Sequence, residues 1–258
     1  MAGAAPPISA SSVYVRDLDS GKTLYARNAD APLPIASITK LMAAMVLLDA
    51  KLDMKALVKI TEADVDRLKN SSSRLKVGSV LSRDQLLKLS LMSSENRAAH
   101  ALARTYPGGV SAFVGAMNVK ARQLGLERAR FTDPTGLSPR NTASAADLAK
   151  LTAAASEYAR IRRYSTAKED VVRVKGVGST QYRNTNALVR EAALPILVSK
   201  TGYIREAGRC LVMMAKVGSR NLVFVLLDAK SSQARIQDAM TLKRWLTPRL
   251  PRLLAAKA

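Results

Sequence analysis

Strand-prone segments lie at the two ends of this chain, and no other feature of the sequence constrains the fold as strongly. Residues 13–18 and 23–28 are short β-prone runs flanking Asp19-Ser20-Gly21-Lys22, the pattern of a hairpin with glycine in its turn. The next strand-like runs are 196–199, 210–217 and 222–227, the last two joined through Gly218-Ser219. Between these groups, from about residue 53 to 178, apolar residues recur at helical spacing: Leu86, Leu87, Leu89 and Leu91, then Ala98, Ala99 and Leu102, then Phe113, Val114 and Met117. A sheet built from both ends must therefore close around an inserted helical block.

Two further helices frame that insertion. From Ser37 onward Leu41, Met42, Met45, Val46 and Leu48 follow a Pro32/Pro34 loop with few charges, the mark of a largely buried helix. An amphipathic helix over 232–246 is stopped by Pro248 and Pro251. Ser82 or Asp84, and Ser144, are expected helix caps. The fold class predicted is α/β (α+β), with an antiparallel five-stranded sheet flanked by helices. Residues 8–52 plus 179–258 form a discontinuous α/β subdomain, 53–178 a mostly helical one, and the active site lies in the cleft between them. No separate C-terminal domain is expected.

The 258 residues are 48% hydrophobic, enough for a sizeable core. Lys plus Arg number 41 against 20 acids, a net charge of +21 that concerns partners and not fold. Aromatics are only 4% and no nucleic-acid motif occurs, so a nucleic-acid partner is not predicted; spread positive charge suits a polymer bearing carboxylates. No run approaches the roughly 20 apolar residues of a membrane span, and 1–7 lacks a signal-like core, so export would need a leader outside this sequence. The basic, apolar tail 249–257 suggests at most weak contact with an anionic membrane.

One histidine and one cysteine exclude most metal sites and any internal disulfide, and no cofactor is expected. His100 reads as an ordinary helix residue, and Cys210 as a buried inert thiol at the start of a strand. A hydrolase built on this chain must then use carboxylates, or a hydroxyl activated by lysine. Ser37-Ile38-Thr39-Lys40 places two such groups three residues apart on one helical face, with the lysine in apolar surroundings that oppose its charged form. The same spacing at Ser73/Lys76 and Ser165/Lys168 lies in polar surroundings. Ser94-Glu95-Asn96 sits in a loop between helices, from which a hydroxyl and a carboxamide can face a cleft; Ser219-Arg220-Asn221 repeats the spacing within a hairpin turn. Lys200-Thr201-Gly202 follows a β-prone run, where glycine lets a ligand lie against the strand.

Taken in order, Ser-x-x-Lys at 37, Ser-x-Asn at 94 and Lys-Thr-Gly at 200 resemble the penicillin-recognising serine DD-peptidases and β-lactamases. Residues 34–42, 93–99, 200–203 and 207–211, with Asp133-Pro134-Thr135-Gly136-Leu137 and Asn184-Thr185-Asn186, look like segments of low-molecular-mass penicillin-binding proteins of the type-7 group, which are D-alanyl-D-alanine endopeptidases. Ile204 departs from the threonine common there. The resemblance implies a β-lactamase-like fold, with Ser37 as acylated nucleophile, Lys40 as base and Ser94 as proton relay. It also implies that Asn96, Lys200, Thr201, Gly202 and Tyr203 bind substrate, the Ser37 and Tyr203 backbone N–H groups forming the oxyanion hole. Implied partners are peptidoglycan stem peptides and cross-links, with β-lactam antibiotics as covalent inhibitors, and the implied location is the bacterial periplasm, in cell-wall biogenesis. A D-alanyl-D-alanine carboxypeptidase is the main alternative. A β-lactamase is disfavoured because 132–137 holds no Glu-x-x-Leu-Asn. Binding peptidoglycan without catalysis is the reading from a different class.

Overall fold

A computed structural model describes residues 5–174 and 178–255 of the chain. It opens with β1 (Ser12–Asp17), β2 (Thr23–Arg27) and the two-residue β3 (Leu33–Pro34), followed by a 3-10 turn over Ala36–Ile38 and helix α1 (Thr39–Asp49). The middle of the chain contains β4 (Leu57–Lys59), β5 (Val80–Ser82), α2 (Arg83–Met92), α3 (Asn96–Arg104), α4 (Gly109–Gln123), β6 (Thr142–Ala143), α5 (Ala145–Ala155) and α6 (Ala159–Ser165). Next come the hairpin β7 (Glu169–Val174) and β8 (Gly178–Arg183) and the short α7 (Ala187–Arg190). The chain closes with β9 (Ile196–Ile204), β10 (Gly208–Val217), β11 (Arg220–Ala229), α8 (Ser232–Leu246) and α9 (Leu250–Ala255).

The principal sheet is five-stranded and antiparallel, in the order β2-β1-β11-β10-β9. Its two ends of chain meet at β1 and β11, where Ser12 lies opposite Leu227 and Asp17 opposite Leu222. Both faces of the sheet are covered, which is why β10 and β11 read as continuous apolar runs and not as alternating ones. Val198, Val212, Val223 and Val225 face the core shared with α1, α2 and α5. Leu211, Met213, Phe224 and Leu226 face Ala239, Leu242 and Leu246 of α8.

Helix α1 is buried from Thr39 to Leu47, so it runs through the interior with no solvent face. Ser82 caps α2 in a reciprocal box with Gln85, and Ser144 caps α5, as their positions before apolar periodic runs predict. Three local expectations need correction. Ser37 lies on the 3-10 turn and α1 begins two residues later. The Lys-Thr-Gly triplet is not beyond its strand but inside it, since β9 continues to Ile204, whose side chain packs in the core. A further hairpin, β7–β8, occupies part of the stretch expected to be helical; Val172 and Tyr182 are the side chains buried in it among the described residues. Beyond Pro248 the chain turns and α9 follows, with Pro251 in its first turn, where a missing N–H costs nothing.

Candidate active site

The turn that carries Ser37 is clamped by two remote segments. Gly136 has φ +86°, and a Cβ there would fall 1.9 Å from the Ala36 carbonyl oxygen, so the 133–138 turn presses on the backbone just before Ser37. Asn141 donates to Thr39 Oγ1 (3.0 Å), and its carbonyl accepts from Ile35 N (3.1 Å). From the other side, a Cβ at Gly202 would stand 3.0 Å from Ser37 N and from Ile35 O. Strand β9 and the Ser37 turn thus approach at a distance only glycine accommodates without displacement. Ala36 (φ 47°) and Ser94 (φ 60°) hold left-handed backbone, the kind of strain that persists where surrounding structure over-determines it.

Six of the eight sequence-predicted residues fall into two hydrogen-bonded sets, with Gly202 and Tyr203 beside them on β9. In the first, Lys40 is fully buried and its Nζ lies 2.7 Å from Ser37 Oγ, 2.8 Å from Asn96 Oδ1 and 2.7 Å from the Thr135 carbonyl oxygen. The Asn96 amide is oriented by donating from Nδ2 to Ser71 Oγ (3.0 Å), so its oxygen faces the lysine. A neutral amine has two N–H groups and one lone pair. Asn96 Oδ1 and the Thr135 carbonyl can only accept, so they take both hydrogens and the lone pair is left for the Ser37 hydroxyl. In the second set, Lys200 Nζ donates to Ser94 Oγ (2.9 Å) and to the Thr201 carbonyl (2.9 Å), while Thr201 and Thr185 share a hydroxyl hydrogen bond (2.6 Å). Tyr203 pairs with Arg209 across β9–β10; its ring is 52% exposed with the Arg209 guanidinium over it.

Burial is the main influence on both lysines. It pushes Lys40 from 10.5 down to about 8, against the opposing pull of Asp133, Glu95 and Asp66. Lys200 is driven well below the ordinary lysine range by burial first and then by the charges of Lys40 and Arg235. Arg235, from α8, is itself buried and donates to the Cys210 carbonyl (3.1 Å). One protonated lysine in this pocket therefore discourages the second.

The competing motifs are not assembled in this way. Ser73 Oγ is bonded to the Glu95 carboxylate, Ser165 is buried with its Oγ accepting from Ser199 N, and Lys76 and Lys168 are exposed. Ser219 lies in the β10–β11 turn. His100 Nδ1 pairs with Asp64 (2.8 Å), and Cys210 is buried, its thiol pushed up to about 11 by desolvation. Among the described residues no group of His, Cys, Asp or Glu is arranged to hold a metal ion. Sequence reasoning missed Thr135, whose contribution is a backbone carbonyl, and Ser71, Thr185 and Arg235, which lie outside the three motifs. The Asp133-Pro-Thr-Gly run was the one available signal for the first of these, because the Asp133 carboxylate closes that turn by accepting from Thr135, Gly136 and Ser138 N–H groups.

A family model described as D-alanyl-D-alanine carboxypeptidase, peptidase S11, matches residues 1–231. The chain is 44% identical over 240 residues to a D-alanyl-D-alanine endopeptidase of Pseudomonas aeruginosa, covering 93% of this chain and 77% of that protein. It is 41% identical to a D-alanyl-D-alanine endopeptidase of Escherichia coli, covering 93% and 78%. Among solved structures it is similar to the Streptomyces K15 DD-transpeptidase, with a TM-score of 0.87 at 30% identity over 94% of this chain and 98% of that one. With the β-lactamase-like fold and the three motifs joined by hydrogen bonds, these similarities show that the chain belongs to the peptidase S11 family and is a serine-type DD-peptidase.

Proposed function

We propose that the chain is a D-alanyl-D-alanine endopeptidase that cuts peptide cross-links of peptidoglycan in the bacterial periplasm through an acyl-enzyme on Ser37. The observation that carries this reading is the buried Lys40 amine, 2.7 Å from Ser37 Oγ and with both remaining neighbours able only to accept. Neutral Lys40 takes the Ser37 proton as Oγ attacks the carbonyl carbon that follows a D-alanine side chain. The Ser37 and Tyr203 N–H groups hold the resulting oxyanion, and as the peptide C–N bond breaks Ser94, hydrogen-bonded to Lys200, relays the proton held by Lys40 to the leaving amine, which returns Lys40 to its neutral form. Water then releases the acyl group by the reverse path. Asn96 aligns the substrate backbone, and Thr201 and Lys200 bind on the carboxylate side, with Gly202 admitting the strand.

Residues 8–52 plus 179–258 and the helical 53–178 supply the two walls of this cleft in the proposal. Endopeptidase is favoured over carboxypeptidase because relatives bearing the first name reach 44% identity and those bearing the second 32%. Slow deacylation, and hence stable inhibition by β-lactams, is supported by Asp133. It is the one carboxylate in 132–137, and backbone N–H groups occupy both of its oxygens, so it is not free to activate water.

The test is intact-mass analysis after incubation with benzylpenicillin. One stable equivalent is expected on the wild-type protein and on Ser73→Ala and Ser165→Ala, and none on Ser37→Ala. A purified cross-linked muropeptide dimer should then be cleaved faster than a monomeric pentapeptide loses its terminal D-alanine. Labelling that survives Ser37→Ala rejects the nucleophile, and the reverse substrate preference rejects the endopeptidase reading.

A further inference from the structure

A groove beside the catalytic cleft is marked by arginine. A cavity of about 260 Å³ opens on the Ser94 side of the site, lined by Ser93, Ser94 and Asn96, by Ser72–Arg74, and by Tyr182 of β8. Arg74 is exposed yet held: its guanidinium lies 4.5 Å over the Tyr182 ring and gives one hydrogen bond to the Gln181 carbonyl. Arginine has five N–H donors, so most of the fork is left for an acceptor from outside. Glu95 is the acid in this cavity; it is buried, and its oxygens accept from Ser73 Oγ and from Arg97 N.

The positive charge continues away from Ser94. Arg74 also lines a second groove shared with Arg183, and Arg183 lines a third with Lys168 and Arg190. Glu169 is the acid there and pairs loosely with Arg183 at 3.5 Å. Arg190 is fixed through its bond to the Asn184 carbonyl (2.6 Å), in the segment that also positions Thr185 against Thr201. Four cations against one exposed acid form a track that begins beside Ser94 and follows the β7–β8 hairpin.

We propose that this track is a binding subsite for the carboxylates of the substrate peptide, with Arg74 as the residue that reads the carboxylate nearest the scissile bond. The proposal rests on the DD-peptidase reading of the cleft and adds to it a requirement for an anionic strand on the Ser94 side. Guanidinium matches carboxylate geometry with two parallel hydrogen bonds, and the Tyr182 ring beneath it limits the orientations the side chain must give up on binding.

The experiment measures binding of a fluorescent stem peptide, with free or amidated carboxylates, to the acylation-incompetent Ser37→Ala protein and to the same protein carrying Arg74→Gln or Arg183→Gln. Arg74→Gln should weaken the free-carboxylate peptide by about tenfold, Arg183→Gln by less, and the amidated peptide by neither. Added salt should weaken the free-carboxylate peptide alone. In the Ser37-containing background, Arg74→Gln should raise KM for the free-carboxylate substrate with kcat within about twofold and leave penicillin acylation unchanged. Equal loss with both peptides, or no loss with either, overturns the subsite. Retained peptide binding with loss of salt-sensitive RNA binding would assign the track to nucleic acid and overturn it too. Because binding is read without turnover, charge-selective binding in a protein that fails to cleave would reject the endopeptidase reading and leave the subsite standing.

Discussion

A buried lysine that must be neutral to act makes the rate of acylation a titration curve. With Lys40 near 8, the neutral fraction is about 1% at pH 6, about 9% at pH 7, about half at pH 8 and about 91% at pH 9. Because only the deprotonated amine accepts the Ser37 proton, the second-order rate of acylation by a fluorescent penicillin should climb about tenfold per pH unit below 7. It should gain about fifty-fold in all between pH 6 and pH 8, then flatten above pH 9. The three carboxylates that pull the other way supply a control. Glu95→Gln keeps the shape of the cap on α3 and removes a charge that favours the ammonium, so its midpoint should move to lower pH and its rate at pH 7 should rise. Stopped-flow labelling over pH 6–10 with both proteins decides the matter. A profile flat across that range, or a midpoint near the ordinary lysine value of 10.5, would refute the claim that desolvated Lys40 takes the proton.

Two other expectations follow from the geometry around Ser37. Ser71→Ala removes the acceptor that orients the Asn96 amide, so acylation should fall about tenfold with its pH midpoint displaced, whereas Ser71→Thr should restore both; a rate loss without a change in the pH profile would mean that Ser71 acts only on loop shape. Gly202→Ala must move the Ser37 backbone by a few tenths of an ångström and should lower acylation with little change in urea unfolding, while Gly136→Ala, at φ +86° and 1.9 Å from the Ala36 oxygen, should cost about 3 kcal/mol or more of stability. Equal stability losses in the two variants would contradict the contrast between a close approach and a clash.

Much of this arrangement was legible before any coordinates. The strands at 210–217 and 222–227 declare themselves because both faces of β10 and β11 are covered, which leaves runs of Val, Leu, Met and Phe that fit little else, and those at 13–18 and 23–28 because they flank a glycine-containing turn. Ser37/Lys40 stood out from its two lookalikes by the apolar helix around it, and Lys40 is indeed buried whereas Lys76 and Lys168 are exposed. The β7–β8 hairpin escaped because its ladder buries few side chains and its outward residues are polar, so no strong alternation survives in Glu169–Val174 or Gly178–Arg183. Thr135 escaped for a different reason: a carbonyl oxygen carries no side-chain signature, and its value depends on a turn 95 residues away from the lysine it receives. The reach of β9 past Thr201 depended on pairing with β10, which a single strand's composition does not report.

The seam between β1 and β11 sets a schedule for the enzyme's life. Ser12 faces Leu227, Lys40 needs the Thr135 carbonyl, and the Ser37 backbone is seated by Gly202, so a ribosome that has made the first two hundred residues has made nothing that can react. Apart from the local Ser37–Lys40 pair, the contacts that orient the lysine span long loops, 56 residues to Asn96 and 95 to Thr135, whose closure entropy must be recovered from tertiary packing. A polypeptide kept extended is accordingly expected to be inert toward peptides. On the proposed function, the appearance of penicillin labelling during refolding should therefore follow the completion of the sheet.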